Sequence, residues 1–260
     1  MNWFGDLNPI LQALIATTFT WGITLLGALM VCFFKEVNKK ALNTILGFSA
    51  GVMIAASFWS LLLPSIELSE ELGYIAWGLP ALGFILGGLF VLLSDKFLDK
   101  TLSDKNSIKK DSLKRSILLV SAITLHNIPE GMSIGVAFGG ISSGVSGMTL
   151  IGAIMLAIGI GIQNFPEGAA VSLPLRKEGF SRKKSFFIGQ ASALVEPISA
   201  VIGVILVLAV RSILPILLSF AAGAMITVAA RELLPESISE NKNLSTLGLI
   251  SGFVLMMVLD

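Results

Sequence analysis

The chain has 260 residues, of which 54% are hydrophobic and 13% are charged, and its formal net charge is +1. This composition is typical of a membrane protein with several spanning helices and excludes a set of soluble domains. The small net charge gives no reason to expect nucleic acid as a partner, and a single cysteine excludes an internal disulfide. We therefore treat residues 1–260 as one transmembrane domain in a lipid bilayer.

A helix needs about 20 mostly apolar residues to cross a bilayer. Eight segments of the sequence have this length and character, which predicts an all-α membrane protein. The predicted spans cover roughly residues 9–34, 41–65, 74–94, 115–139, 147–174, 185–209, 212–235 and 244–260.

The basic residues indicate an orientation. Of the 18 Lys and Arg residues, 17 lie within or beside the segments that follow the first, third, fifth and seventh spans, and Arg211 is the exception. Cytoplasmic loops are enriched in Lys and Arg, so we expect these segments to face the cytoplasm and both termini to lie outside the cytoplasmic (plasma or inner) membrane. Segment 95–114 mixes Lys, Asp and Ser without an apolar pattern, which predicts a mobile cytoplasmic loop.

Two internal repeats relate the spans to one another. The motif L-H-N-I-P-E-G at 125–131 returns 37 residues later as I-Q-N-F-P-E-G at 162–168. L-G-F-S-A-G-V-M-I at 46–54 matches L-S-F-A-A-G-A-M-I at 218–226 at six of nine positions, although chance similarity of small and apolar residues is an alternative for this second repeat. The repeats pair span 4 with span 5 and span 2 with span 7, which run in opposite directions. They predict an inverted repeat, spans 1–3 against 6–8, an architecture typical of secondary transporters with a site near the midplane.

The paired motif places metal-binding groups on one face of each helix, because positions i, i+3 and i+4 are neighbours on a helix. The residues concerned are His126, Asn127 and Glu130 in the fourth span and Gln163, Asn164 and Glu167 in the fifth. The proline in each motif removes a backbone hydrogen bond, which is tolerated at membrane depth where the chain lines a cavity.

A third acidic residue, Glu196, lies in the predicted sixth span. Carboxylates at membrane depth without a basic partner are costly, so protonation or a bound cation must offset Glu130, Glu167 and Glu196. A divalent metal ion suits the imidazole, amide and carboxylate groups present. A hydrogen-bonded polar core with protonated glutamates is the alternative.

Other functions are open at this point. An intramembrane metal hydrolase would normally need two histidines, as in H-E-x-x-H, and the chain has only His126, so we do not expect an enzyme. A membrane metal sensor or receptor that binds without transport is a second alternative, which the inverted repeat disfavours. A transporter of another solute is a third, which the absence of basic residues at the centre of the predicted spans disfavours.

The H-N-x-P-E-G and Q-N-x-P-E-G motifs resemble the signature of the ZIP metal transporters, closest to the GufA-like branch, and the eight predicted spans extend the resemblance to the whole chain. The resemblance implies movement of Zn²⁺, with Cd²⁺, Mn²⁺ or Fe²⁺ as further substrates, into the cytoplasm, so that the metal is cargo and not a cofactor. It also implies a homodimer in which spans 1, 4, 5 and 6 move against spans 2, 3, 7 and 8. The implied binuclear metal site consists of His126, Glu130, Gln163 and Glu167 for one ion and Asn127, Asn164 and Glu196 for the other, with Glu130 and Glu167 bridging.

The sequence departs from the family pattern at Gln163, and the loop after the third span lacks the histidines that many members have there. Gln163 stands where many members have a second histidine, which predicts weaker selectivity for zinc. Arg231, Glu232 and Glu236 lie at the end of the seventh span, where relatives often place His and Glu. The two glutamates are either exit ligands or partners of Arg231 in a salt bridge at the helix end.

Overall fold

The computed structural model describes residues 2–34, 38–102, 108–144, 148–239 and 241–259. All regular secondary structure in these segments is helical. The α-helices are α1 (Asn2–Gly5), α2 (Pro9–Phe33), α3 (Lys39–Ala56), α4 (Leu63–Glu71), α5 (Gly78–Leu102), α6 (Ile108–Ser142), α7 (Leu150–Lys177), α8 (Arg182–Ala191), α9 (Val195–Ala209), α10 (Leu214–Val228), α11 (Leu234–Ser237) and α12 (Lys242–Leu259).

Seven helical segments of the described chain are long and apolar enough to cross a membrane. They are Pro9–Phe33, Lys40–Glu71, Gly78–Phe97, Leu150–Arg176, Arg182–Ala209, Leu214–Ser237 and Lys242–Leu259. This result confirms an all-α protein with multiple membrane spans. The predicted fourth span falls within α6, a helix of 35 residues that is not among the seven and that continues through Pro129.

Two helices extend beyond the predicted spans. The third span was expected to end at residue 94, but α5 continues to Leu102, and α6 begins at Ile108. Segment 95–114 contains neither Gly nor Pro, so nothing in it terminates a helix, and its Leu and Lys residues favour one. Part of the predicted mobile loop is therefore helical, while residues 103–107 lie outside the described residues.

The predicted sixth span consists of two helices. α8 ends at Ala191, a turn follows, and α9 begins at Val195. Pro197 fits this break because proline is tolerated in the first turn of a helix, where no backbone N–H is needed. The break leaves Glu196 in the first turn of α9, where the helix dipole favours a negative charge.

Two turns of π-helix interrupt two spans at corresponding points. Ser57–Leu62 separates α3 from α4, and Ala229–Leu233 separates α10 from α11. The two turns begin 172 residues apart, which is the offset of the second sequence repeat. A π-turn changes which side chains share a helix face, and such turns often occur at functional sites.

The helices pack most extensively in four pairs: α2 with α7, α3 with α12, α5 with α10, and α6 with α9. Glycines allow the backbones in these pairs to touch. A Cβ atom at Gly51 of α3 would lie 2.1 Å from the Leu249 oxygen of α12, and one at Gly223 of α10 would lie 2.1 Å from the Phe84 oxygen of α5. Close contact through small residues is typical of helices packed in membranes.

Glycines also allow close packing of α6 and α7, the two helices that carry the repeated motifs. A Cβ atom at Gly131 of α6 would lie 2.3 Å from the Glu196 oxygen, and one at Gly168 of α7 would lie 2.1 Å from the Thr24 oxygen. The glycine of each motif thus sets the distance of its helix from the neighbour, and in doing so positions the polar residues that precede it.

Candidate metal site

The seven residues predicted from the sequence lie on α6, α7 and the start of α9. All are buried, with at most 7% of any of them exposed. They are His126, Asn127, Glu130, Gln163, Asn164, Glu167 and Glu196.

Two direct contacts join the motif residues. The amide nitrogen Nε2 of Gln163 donates a hydrogen bond to Oε1 of Glu130 at 2.7 Å. The amide nitrogen Nδ2 of Asn164 donates to Oε1 of Glu196 at 2.9 Å. The structure therefore brings α6 against α7 through the first contact and α7 against α9 through the second.

Thr20 of α2 completes the surroundings of Glu196. Its hydroxyl donates a hydrogen bond to Oε2 of Glu196, so that both oxygens of this carboxylate accept a hydrogen bond from the protein. By contrast, Oε2 of the buried Glu130 has no partner.

The two asparagines are held in equivalent ways. Nδ2 of Asn127 donates to the backbone oxygen of Ser192 at 3.0 Å, and Nδ2 of Asn164 donates to the backbone oxygen of Thr20 at 3.3 Å. The asparagines are 37 residues apart and their two acceptors are 172 residues apart, which are the offsets of the two repeats. In both cases the amide nitrogen donates a hydrogen bond to the backbone, and the amide oxygen is left for another partner.

Four buried oxygens of the site lack a hydrogen-bond donor. The buried atoms without a partner include Oδ1 of Asn127, Oε2 of Glu130, Oε1 of Gln163 and Oδ1 of Asn164. Buried polar atoms are normally satisfied, and oxygen atoms that only accept hydrogen bonds are suitable ligands for a cation. This common feature of the four atoms supports a cation site.

The charges of the buried carboxylates also favour a bound cation. Glu130 lies close enough to Glu167 and Glu196 for the three carboxylates to repel one another. None of the ion pairs found among the described residues involves any of the three. A cation at the centre of this group would replace repulsion with attraction.

His126 is directed toward a second group of side chains. Its Nε2 atom lies 3.1 Å from Oε1 of Glu232, without the alignment of a hydrogen bond. Asp95, at the end of the apolar part of α5, joins them, and one potential ligand atom from each of the three residues lies within 4.8 Å of the others. This geometry would allow one metal ion to bind all three; we refer to Asp95, His126 and Glu232 as the exit group.

Arg231 pairs with Asp95, since its Nε atom lies 3.3 Å from Oδ2 of Asp95. This ion pair differs from the predicted alternative, in which Arg231 would bind Glu232 or Glu236. Glu232 instead faces His126, and Glu236 lines the cavity described next.

A cavity of about 550 Å³ connects the two groups. His126 and Glu167 line it on one side, and Arg231, Glu232 and Glu236 line it on another. It lies at the end of the bundle formed by the start of α3, the end of α7 and α11. We call this the basic end, because the described basic residues other than Arg211 lie in or beside helix ends on this side.

The opposite end of the bundle is closed above the site. Ile134 follows Glu130 by one turn, Ile160 precedes Gln163 by one turn, and both are completely buried. Beyond them is a separate cavity of about 330 Å³, which is lined by Trp59, Ser60 and Glu67 among others. The buried centre is thus reached from the basic end and separated from the other end by apolar side chains.

Sequence reasoning missed two residues of these groups. Thr20 lies outside both repeated motifs, and the signal that could have found it is the 172-residue offset to Ser192, which faces the other motif. Asp95 was assigned to a loop, and no pattern in the sequence marks its proximity to His126.

The fold and site together define a class of protein: a helical membrane protein with a buried cluster of carboxylates and amides that is accessible from one end. Comparison with known sequences is more specific. The family model described as "ZIP Zinc transporter" matches residues 100–260. The chain belongs to the ZIP family.

Individual relatives extend the match beyond residues 100–260. Zinc transporter ZIP11 of Homo sapiens is 38% identical, with 97% of each chain covered. Zinc transporter GufA of Myxococcus xanthus is 34% identical over 95% of this chain and 97% of its own, and zinc transporter ZIPB of Bordetella bronchiseptica is 36% identical over 91% and 76%. The similarity to GufA confirms the resemblance noted in the sequence.

Proposed function

We propose that this protein transports divalent metal ions, Zn²⁺ foremost, into the cytoplasm through a buried binuclear site. The first ion would bind His126, Glu130, Gln163 and Glu167, with His126 turning to it from its position beside Glu232. The second would bind Asn127, Asn164 and Glu196 and share Glu130 and Glu167 with the first. The names of the relatives support zinc as the substrate. The oxygen-rich ligand set favours some acceptance of Cd²⁺, Mn²⁺ and Fe²⁺.

One observation carries the proposal. Four buried oxygens, on Asn127, Glu130, Gln163 and Asn164, have no hydrogen-bond donor, while the amide nitrogens of Asn127, Gln163 and Asn164 all donate hydrogen bonds within the protein. A hydrogen-bonded polar core would use these oxygens, whereas a metal site leaves them available.

An eight-span inverted repeat is part of the proposal, with α6 as the fourth span. The four main helix pairs support it. In this repeat, spans 1–3 correspond to spans 6–8 and span 4 corresponds to span 5, so the α2–α7 pair corresponds to the α9–α6 pair. In the same way, the α3–α12 pair corresponds to the α10–α5 pair. The matched π-turns and the glycines Gly51 and Gly223 support it further.

The inverted repeat also suggests how access alternates. Each cavity is lined by one of the two π-turns and by α6 and α7, at opposite ends of the bundle. We infer that exchanging the conformations of the two repeats closes the cavity at the basic end and extends the other to Glu130. Such exchange is the usual mode of transporters built from inverted repeats.

The family resemblance implies transport into the cytoplasm, and the charge distribution gives the orientation of the cavities. Basic loops favour the cytoplasmic side, so the larger cavity would open to the cytoplasm and both termini would lie outside. The exit group would then be the last set of ligands that a departing ion meets. The family resemblance adds a homodimer in the cytoplasmic membrane.

Zinc uptake by liposomes that contain the purified protein and an internal zinc indicator tests the proposal. We expect saturable uptake, and we expect Glu167→Gln to reduce the initial rate by more than about 100-fold, since losing only a hydrogen-bond partner of a metal ligand costs roughly 10- to 100-fold. Glu70→Gln, an exposed carboxylate at the end of α4, is the matched control and should retain the wild-type rate. Zinc binding without uptake would indicate a receptor, and wild-type uptake by Glu167→Gln would exclude the proposed site.

A further inference from the structure

Arg231 is the positively charged residue among those that line the larger cavity in the described part of the chain. It belongs to the π-turn Ala229–Leu233, in which Glu232 follows it directly. Both side chains line the same cavity, although consecutive residues of an α-helix point about 100° apart. The π-turn thus places the positive charge of Arg231 next to side chains that could bind a metal cation.

The position of Arg231 is defined by its contact with Asp95. The guanidinium nitrogen Nε lies 3.3 Å from Oδ2 of Asp95, whose side chain is 17% exposed, while half of the arginine side chain is exposed. Asp95 also has an oxygen within 4.8 Å of ligand atoms of His126 and Glu232. The carboxylate of Asp95 therefore lies beside the guanidinium of Arg231 and also beside the potential metal ligands His126 and Glu232.

The formal charges of the two groups differ. The central group contains three carboxylates, Glu130, Glu167 and Glu196, and no ion pair with a described basic residue. The exit group contains the carboxylates of Asp95 and Glu232 and the imidazole of His126, which must be neutral to bind a metal ion, and Arg231 offsets one of the two negative charges. The binuclear centre therefore offers three negative charges to two divalent ions, whereas the exit group offers a net charge of only −1 to one ion.

We propose that Arg231 is a built-in counter-charge that weakens the binding of divalent metal to Asp95, His126 and Glu232 and so speeds metal release. This inference rests on the proposed transport function. A metal ion that reaches Asp95 must displace the guanidinium from the carboxylate or bind beside it. Arginine cannot lose its charge in a protein, so its repulsion of the ion persists under all physiological conditions. When the ion has left, the guanidinium again neutralises Asp95.

Zinc titration of purified protein tests this role in a Glu130→Gln background, in which the central site is disabled and the exit group remains. Adding Arg231→Gln should tighten zinc binding about tenfold, the size expected from removing one half-exposed like charge at close range. The same change should have little effect once Asp95→Asn is also present, because the carboxylate shared by the arginine and the metal is then lost. Arg231→Lys should recover most of the weak binding, since it restores the charge.

Flux measurements add a kinetic readout. In the otherwise wild-type protein, Arg231→Gln should slow zinc turnover. Zinc on the cytoplasmic face should also inhibit transport at a lower concentration, measured as the concentration that gives half-maximal trans-inhibition. Arg182→Gln, an exposed arginine at the start of α8 outside the cavity, is the matched control and should change neither value. If Arg231→Gln does not fold, Arg231→Met provides a second neutral side chain with a similar apolar stem.

The outcomes separate the two proposals. Unchanged or weaker zinc binding after neutralising Arg231 would overturn its role as a counter-charge, whether or not the protein transports zinc. Absence of zinc uptake by the wild-type protein would instead contradict the transport function, and the binding comparison would still decide what Arg231 does. A purely structural ion pair predicts loss of stability without tighter binding.

Discussion

Replacing Glu130 by glutamine should separate the stability of the protein from its ability to bind metal. Oε1 of Glu130 accepts a hydrogen bond from Gln163 at 2.7 Å, whereas Oε2 has no partner. Glutamine has the same shape and can keep the accepted hydrogen bond through its oxygen. Its NH₂ group then occupies the position of Oε2, where it removes a ligand oxygen and a formal negative charge.

The two expected effects have opposite signs. A buried unsatisfied acceptor costs about 1–3 kcal/mol and a charged one costs more, so the metal-free variant should be at least as stable as the metal-free wild type. A change of 1 kcal/mol corresponds to roughly 2–4 °C in Tm for a protein of about this size. Zinc at about 100 times its Kd stabilises a protein by about 2.7 kcal/mol, so the wild-type Tm should rise by about 5–11 °C on zinc addition. The variant should lose most of that rise.

Thermal unfolding of the detergent-solubilised protein, with and without zinc, measures both effects in one assay. Glu70→Gln removes an exposed carboxylate and should respond to zinc like the wild type. The reasoning is refuted if Glu130→Gln keeps the full zinc-dependent rise, which would place the metal elsewhere. A metal-free variant that is strongly destabilised would show that Oε2 makes an essential contact within the protein.

Three further changes test the surroundings of the site. Gln163→His should raise the preference for Zn²⁺ over Mn²⁺ about tenfold in a competition flux assay, because imidazole favours zinc; a fixed ratio in a variant that still binds metal would exclude residue 163 as a ligand. Thr20→Val removes the hydroxyl that donates to Glu196 and should weaken zinc binding roughly 10- to 100-fold, whereas Thr20→Ser should not; equal titration curves for both variants would contradict this role. Gly223→Ala places a Cβ atom 2.1 Å from a backbone oxygen and should lower Tm, whereas Gly22→Ala meets nothing within 4 Å and should raise it through the helix propensity of alanine. Equal shifts of Tm in these two variants would argue against the close crossing at Gly223.

Much of the architecture could be predicted from the sequence because hydrophobic length and local spacing are properties of short segments. The run of apolar residues at 9–34 must lie in the bilayer core whatever its neighbours are, and it forms α2 (Pro9–Phe33). Likewise, the three- and four-residue spacings in the two motifs place their polar side chains on one helix face before any tertiary contact forms. The motifs also sufficed to identify the family.

Helix ends were less predictable because they depend on hydrogen bonding and on breakers as well as on hydropathy. Residues 95–102 include four charged side chains, yet they continue α5 because a helix can extend beyond the membrane into water. The interruption between α8 and α9 lies inside an apolar stretch, where hydropathy alone predicts one continuous helix.

The sequence by itself determined which residues had to be compensated at membrane depth: the carboxylates of Glu130, Glu167 and Glu196 and the polar groups beside them. Only the tertiary structure decided how each is used, because that depends on contacts between helices far apart in the chain. It brings Thr20 to Glu196, turns His126 toward Glu232, and pairs Arg231 with Asp95. The physical reason is that the desolvation cost of a carboxylate depends on how deep its own segment lies in the membrane. The partner that offsets this cost depends on how several helices pack together.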